Sequence, residues 1–491
     1  MGAPERHRRE REGPDFLRCV ALATGMKCLP ATKLPQANGV ALHDWHAEIL
    51  ALRAFNRFIL DECRRLAKDS SFESDYLRRR TPGELSSSRN GSSRPWHAQP
   101  FAWREGLTLH MYCSEAPCGD ASMELIMSAQ PDATPWTIPP SLNPTPSPPG
   151  PTPTSGPTSN PNSVSTSNPS QAQPPLTCPS PSPSPSPSPS SPPPPPPPPA
   201  QPTDPPPGCP TAEPIPALPL LGRGYFSHLG IVRRKPSRPD APPTASKSCS
   251  DKLALRQCTS LLSSLASLLV SPAGVYLSGI VLPESQYSAA ACTRCFGGRG
   301  SGSGNENGSG RGDGGGGGGT GTGTGRMAGV DGRVWGGDEN LDGEVNGYRF
   351  CGLRIDTVKE EFEFSRRGIL STGGGAGNET QGIKVVASNL AVAWTVDGVV
   401  NEGLIGGVLQ GRKAFDIKGA SMVSRRRMWA AAVEVAAALG DGEISRALAK
   451  GTYDEVKEGK LLEVRRKVKE EVRSWVLKGW SRNTGDGGFS L

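Results

Sequence analysis

The chain has 491 residues and carries 54 basic against 47 acidic side chains, with 60 Gly and 51 Pro crowded largely into two tracts. Length alone would suggest three domains, but setting the two tracts aside leaves material for one large domain. The net charge of +7 leans mildly toward polyanions, and twelve Cys with no secretory signal argue against a disulfide framework and for an intracellular location, nucleus or cytoplasm.

Residues 1–18 are too short and too charged for a full element, and Val20–Ala23 reads as a strand. Leu42–Leu66 predicts a helix whose first turn holds Asp44-Trp45-His46-Ala47-Glu48, with Asp44 as the expected N-cap and Leu50, Leu52, Phe55 and Ile59 as its apolar rhythm. A His and a Glu two residues apart diverge in mid-helix, but at an N-terminus both can reach one site. Leu107–Tyr112 then reads as a strand, followed by Glu115-Ala116-Pro117-Cys118-Gly119-Asp120 and a helix from Ser122. This order puts a thiol at a helix N-terminus, where the dipole lowers its pKa and favours the thiolate. Zinc nucleobase deaminases combine these features, a metal-binding His, a proton-shuttling Glu and Pro-Cys, and carry their second Cys three residues after the first. Here that position is Ala121. Catalytic zinc needs three protein ligands, so the last must come from elsewhere. Ser248-Cys249-Ser250-Asp251-Lys252, a Cys with polar neighbours at the start of a helical run, is the best placed. Cys292-Thr293-Arg294-Cys295 has metal-site spacing but no second pair, so buried thiols are expected there; Cys113 competes as a ligand but should pack at its strand end.

From 131 to 215 the chain is rich in Pro, Ser and Thr, including unbroken prolines 192–199. No core can form there, and a disordered insertion is expected, with docking of an SH3 or WW module as a secondary reading. A Gly-rich stretch at 297–340 is expected to be a second disordered insertion. The deaminase-type domain would then comprise 1–130, 216–296 and 341–491, because loop-closure entropy grows only slowly with insert length. Leu261–Leu282 has the length of a membrane span but is cut by Pro272 and Gly274 and dotted with Ser, so helix to Val270 and a buried strand from Val275 are expected instead. Phe350–Ile355 and Ile383–Trp394 read as strands, Arg425–Leu439 as a helix, and Tyr453–Leu477 as a last helix with Tyr453, Lys457, Lys460 and Lys467 on one face.

Taken together, His46-Ala47-Glu48, Pro117-Cys118-Gly119-Asp120 and Ser248-Cys249-Ser250-Asp251-Lys252 resemble the adenosine deaminases acting on RNA and their tRNA-specific relatives. Ala23–Pro30, Val232–Pro236 and the stretch from Gly479-Trp480 to the final Phe489-Ser490-Leu491 fit the same family, so the resemblance runs from about Cys19 to the end. It implies an α/β, cytidine-deaminase-like fold, a mixed sheet sandwiched by helices and elaborated with a helical C-terminal half. It further implies a zinc ion on His46, Cys118 and Cys249, Glu48 as proton shuttle, and conversion of adenosine to inosine in tRNA, in the type concerned the adenosine 3′ of the anticodon of alanine tRNA. Inositol hexakisphosphate is implied as a buried ligand, held by Arg53, Lys252, Tyr453, Lys457, Lys467 and Trp480, with Leu52, Leu255 and Glu463 departing from the cationic or aromatic residues of the animal editing enzymes. Lys27, Arg233, Arg234 and Lys235 are expected against RNA phosphates, with no DNA or membrane partner. Two other functions stay open: editing of other, duplex RNA, and an inactive RNA-binding or scaffold role.

Overall fold

The helix bearing His-Ala-Glu sits between the two apolar cores of the molecule. A computed structural model describes residues 16–90, 98–129, 220–221, 229–235, 241–299, 325–336, 347–365, 367–369 and 388–491, all within one compact unit, Met1–Thr137 with Ile215–Leu491. The chain runs through β1 (Ala21–Thr24), α1 (Ala47–Lys68), β2 (Leu77–Arg79), α2 (Pro82–Asn90), β3 (Phe101–Trp103), β4 (Leu109–Tyr112) and α3 (Met123–Ser128). Next come β5 (Leu220–Leu221), β6 (Arg233–Arg234), α4 (Cys249–Thr259), β7 (Leu277–Pro283), α5 (Ala289–Phe296), β8 (Val334–Trp335), β9 (Tyr348–Arg349) and β10 (Arg354–Val358). Strands β11 (Leu390–Thr395), β12 (Asn401–Ile405) and β13 (Val408–Leu409) precede helices α6 (Arg425–Leu439), α7 (Gly442–Leu448), α8 (Tyr453–Glu458) and α9 (Glu463–Trp475). The α/β character expected is present, its sheet resolved into an antiparallel group, β1-β11-β12-β13, and a parallel group, β10-β7-β4. Ala21 lies opposite Thr395 in the first, and Ile280 of β7 pairs with Ile355 and Met111 in the second.

Helix α1 is buried on most of its circumference, its apolar residues packing against two cores and its buried charges satisfied within the helix, Arg57 pairing with Asp61 at 2.7 Å. Leu50 and Ala54 meet Ala391, Ala393 and Leu404 of the antiparallel sheet. Leu52, Phe55, Phe58 and Ile59 face a larger core with Leu253, Leu261 and Trp429. Each such Leu, Ile or Phe contributes about 1.5–3 kcal/mol on burial, which fixes the helix, and hence its N-terminus, in place. The C-terminal tail closes over this core. Phe489 stacks on Tyr453 at 5.2 Å and meets Trp429 at 5.9 Å. Gly39 permits this: it has φ +68°, and a Cβ there would lie 2.2 Å from the Phe489 ring.

Four expectations are corrected. Asp44 is not the N-cap of α1; His46 is, with extended backbone, and Asp44 is a buried counter-ion two residues earlier. The Gly-rich stretch is shorter than 297–340, since Arg326–Val330 forms a 3-10 turn with Met327 and Val330 wholly buried, and β8 pairs with β9. Between Leu261 and Val270 only Ala266–Leu268 is helical, as a 3-10 turn. Serine hydroxyls there bond to nearby backbone, Ser263 accepting from Ala266 N and Ser267 donating to Ser264 O, which competes with the helix. The last helix is broken at Gly459, whose backbone is extended, into α8 and α9. The Pro-rich tract and the greater part of the Gly-rich one lie outside the described residues, and no described helix is long and apolar enough to cross a membrane.

Candidate metal centre

Three elements converge at the N-terminus of α1. His46 caps that helix, Cys118 precedes the turn into α3, and Cys249 opens α4. Their ligand atoms lie within 4.8 Å of one another, with Cys118 Sγ 3.8 Å from His46 Nδ1 and 3.4 Å from the Cys249 backbone N–H that points at it. The first turn of α4 is stitched to the Pro-Cys segment, because Ser250 Oγ donates to Pro117 O and Cys118 O at 2.9 Å and accepts from Ala121 N at 3.2 Å. Gly119 makes that approach possible: at φ +109° its absent Cβ would sit 2.3 Å from Ser248 Oγ. Asp251, wholly buried, ties the turn down by accepting from Ser248 Oγ and Arg233 N and pairing with Arg326 at 2.7 Å.

The charges are arranged around the sulfurs. A hydrogen bond from the Cys249 thiol, against the opposing effect of burial, holds Cys118 well below the usual thiol range, with Lys235 and His46 adding to it. Burial and Lys235 would lower His46, yet the Cys118 thiolate outweighs both and raises it to about 10. Glu48, half-buried beside them, is pushed up from 4.5 by burial first and by the Cys118 charge second. Lys235 Nζ bonds both Cys249 Sγ at 3.1 Å and Asp44 at 2.9 Å. Asp44 in turn bonds Lys252, Ser246 Oγ at 2.7 Å and His46 N at 3.0 Å. Burial opposes ionisation of Asp44, but Lys235 and Lys252 overcome it and hold the carboxylate well below 3.8.

Lys252 connects this cluster to a cavity of about 420 Å³. Arg53, Lys247, Lys252, Arg256, Arg425, Lys457, Arg465, Arg466, Lys469, Arg473 and Arg482 line it, with Tyr453 and Trp480, against two acids, Asp44 and Glu458. So many cations around one space are costly without counter-charge. Burial first, then Arg465, Arg256 and their neighbours, push Lys469 well below its ordinary value; burial and Lys252 bring Lys247 to about 7. The buried Nε atoms of Arg465 and Arg473 have no hydrogen-bond partner among the described residues. The lining therefore fits a polyanion.

Five of the six residues implied for such a ligand, Arg53, Lys252, Tyr453, Lys457 and Trp480, line the cavity. Lys467 does not: it is exposed and paired with Glu463 at 2.8 Å on the outer face of α9. Arg465, Lys469 and Arg473 take that wall instead, a stripe at intervals of four that the sequence displays. Two expected RNA contacts are also corrected. Arg233 is 1 % exposed and Lys235 4 % exposed, the latter bound to Asp44 and Cys249, so neither can meet an RNA phosphate. Lys27 is partly exposed and donates to Asn389. Cys113 is buried against the core and outside the three-ligand group, and the Cys295 sulfur accepts from Arg326 at 3.1 Å. Cys28, unassigned from sequence, lies with Asp44 and His46 in a second cluster of possible ligands.

A His-Cys-Cys group at helix N-termini, with a carboxylate two residues from the His, is the metal site of a nucleobase-deaminase type of fold. Residues 21–308 match the model of the adenosine-deaminase (editase) domain, and the chain belongs to that family. It is 32% identical over 280 residues to a Schizosaccharomyces pombe protein named tRNA-specific adenosine deaminase 1, a match covering 57% of this chain and 48% of that one. A Saccharomyces cerevisiae protein of the same name is 25% identical over 273 residues, 55% of this chain and 48% of the relative. The double-stranded RNA-specific editase Adar of Drosophila melanogaster is 26% identical over 102 residues, 21% of this chain and 13% of the relative. The chain thus spans about half the length of the two yeast relatives it matches.

Proposed function

We propose that the protein deaminates adenosine to inosine in RNA by hydrolysis, with the adenosine beside the anticodon of alanine tRNA as its substrate. The observation that carries this is the convergence of His46, Cys118 and Cys249 with Glu48 beside them. One imidazole nitrogen and two thiolates suit zinc and leave a fourth position open. Zinc bound there supplies Lewis-acid activation of water near neutral pH. Glu48 accepts a proton from the attacking water, delivers it to N1 of the adenine ring and assists departure of ammonia. Its raised pKa, from burial and Cys118, brings it closer to the range in which a carboxyl both takes and gives a proton. Lys235, bonded to Cys249 and Asp44, keeps negative charge at the sulfurs balanced and orients Cys249. A base in an anticodon loop is already unpaired, which lowers the cost of extruding it into the site; Lys27 is the cation we place near it. The cavity would hold inositol hexakisphosphate, the polyanion its cations fit, and a tRNA substrate would put the protein inside the cell, in the nucleus, the cytoplasm or both.

The test is incubation of the purified protein with alanine tRNA, duplex RNA, free adenosine and cytidine. Inosine in the tRNA alone is expected; inosine chiefly in duplex RNA would transfer the assignment to a broader editing role, and no product from any of them would remove it. Phosphorus analysis of denatured, dialysed protein should return several phosphates per chain, and a value near zero would exclude the inositol ligand. Replacing Cys249 with Ala should lower zinc affinity by at least about 100-fold, more than loss of an outer-shell partner, whereas Cys113→Ala should hold zinc as the parent does. Zinc retained by Cys249→Ala after dialysis would strike that sulfur from the ligand set.

A further inference from the structure

We infer that Phe362 and Phe364 form an aromatic rim that stacks an unpaired base of the RNA substrate next to the target adenosine; the inference rests on the function proposed above. Phe364 is 70% exposed and Phe362 41%, and their rings meet edge to face at 5.7 Å. They are held on a closed turn: the buried Ser365 donates its N–H to Phe362 O at 2.8 Å and accepts from Gly368 N at 2.9 Å. Arg367 fastens that turn to the segment leading into the metal centre. Its guanidinium reaches Glu361 at 3.3 Å, Glu115 at 3.2 Å and Ser114 O at 3.4 Å. The Ser285 hydroxyl donates to Glu361, and the neighbouring Gln286 side chain accepts from Ala116 N at 3.0 Å. Glu115 is three residues from Cys118, at most about 11 Å of extended chain. The turn that carries the rim is therefore anchored to the few residues that lead into Cys118.

The surrounding charge selects the part of the RNA that can occupy it. Glu360, Glu361 and Glu363 flank the two rings, and carboxylates repel phosphate. An uncharged base face meets no such penalty and gains stacking on an aromatic ring. Tyr112, 50% exposed at the end of β4, is a further accessible aromatic on the strand that leads toward Cys118. A base thus sits on the rim with its phosphates turned away from it.

The test uses the full chain and an RNA stem-loop containing one target adenosine, with 2-aminopurine placed at either neighbouring nucleotide. Bound to a Glu48→Gln protein, which leaves the adenosine unreacted, one of the two labels should be quenched. Phe364→Ala should lose that quench and Phe364→Tyr should keep it. In the otherwise unaltered protein, Phe362→Ala with Phe364→Ala should lower kcat/KM on the stem-loop by about 10- to 100-fold, with metal content and melting temperature unchanged. An active parent whose double variant keeps both quench and kcat/KM overturns the rim alone. An activity loss accompanied by a fall in melting temperature that Phe364→Tyr shares also overturns it. A parent inactive on every RNA fails earlier and takes the proposed function with it.

Discussion

Replacement of Glu48 by Gln is expected to lower turnover about 10²- to 10⁴-fold, the range that a positioned general acid-base group supplies, while zinc content stays at the parent level. Gln keeps the size of the side chain at the N-terminus of α1 and loses the ionisable carboxyl, so it can neither take the proton nor return it. None of His46, Cys118 and Cys249 depends on it for position: His46 is held by Asp44 through its backbone and Cys118 by the first turn of α4. Single-turnover kinetics with parallel metal analysis separate the two effects. An unchanged rate would remove Glu48 from the proton path, and a loss of zinc equal to the loss of rate would make it a structural residue of the site.

Asp44→Asn should be the most destabilising single change at the centre, by about 3–5 kcal/mol, because it leaves the cations of Lys235 and Lys252 buried without their shared carboxylate. The pH dependence has a definite sign. The folded-state pKa of Asp44 lies below its ordinary 3.8, so its contribution is present above that value and is lost as pH falls through the lower folded one. Denaturant unfolding at neutral pH measures the cost. Adding Lys252→Met to Asp44→Asn should restore part of the loss, since one of the two orphaned cations then disappears; strictly additive losses in that double-mutant cycle would show that the pair does not couple. The same contacts join the three candidate metal ligands to the cation-lined cavity, which Lys252 also lines.

Much of the site was legible because its parts are local. His46 and Glu48 at a helix start, Cys118 between a strand and a turn into a helix, and Ser248-Cys249 capping another helix are each patterns of a few residues. The helix at Arg425–Leu439 was legible for the same reason, an Ala-rich run behind the Ser424 cap and ended by Gly440 in the left-handed region. Arg233 and Lys235 were not. In sequence, Val-Arg-Arg-Lys-Pro is a basic run of the sort that faces solvent, and only β6 lying over Asp251 and Asp44 buries it. Lys467 misled for a related reason: α9 carries cations on both faces, and periodicity cannot tell which face the neighbours cover until α4 is packed against it. Arg326 was hidden in Gly-rich composition, although its guanidinium reaches the buried Asp251 at 2.7 Å.

The sequence by itself determined which atoms could bind a metal and which could move a proton, because side-chain chemistry and helix-terminus position are written in short stretches of chain. Only the tertiary structure decided which cations serve the site and which face water. A lysine or arginine has the same charge in either place, and its role depends on whether distant segments exclude solvent from it and bring a carboxylate or a sulfur within about 3 Å, the usual hydrogen-bond distance.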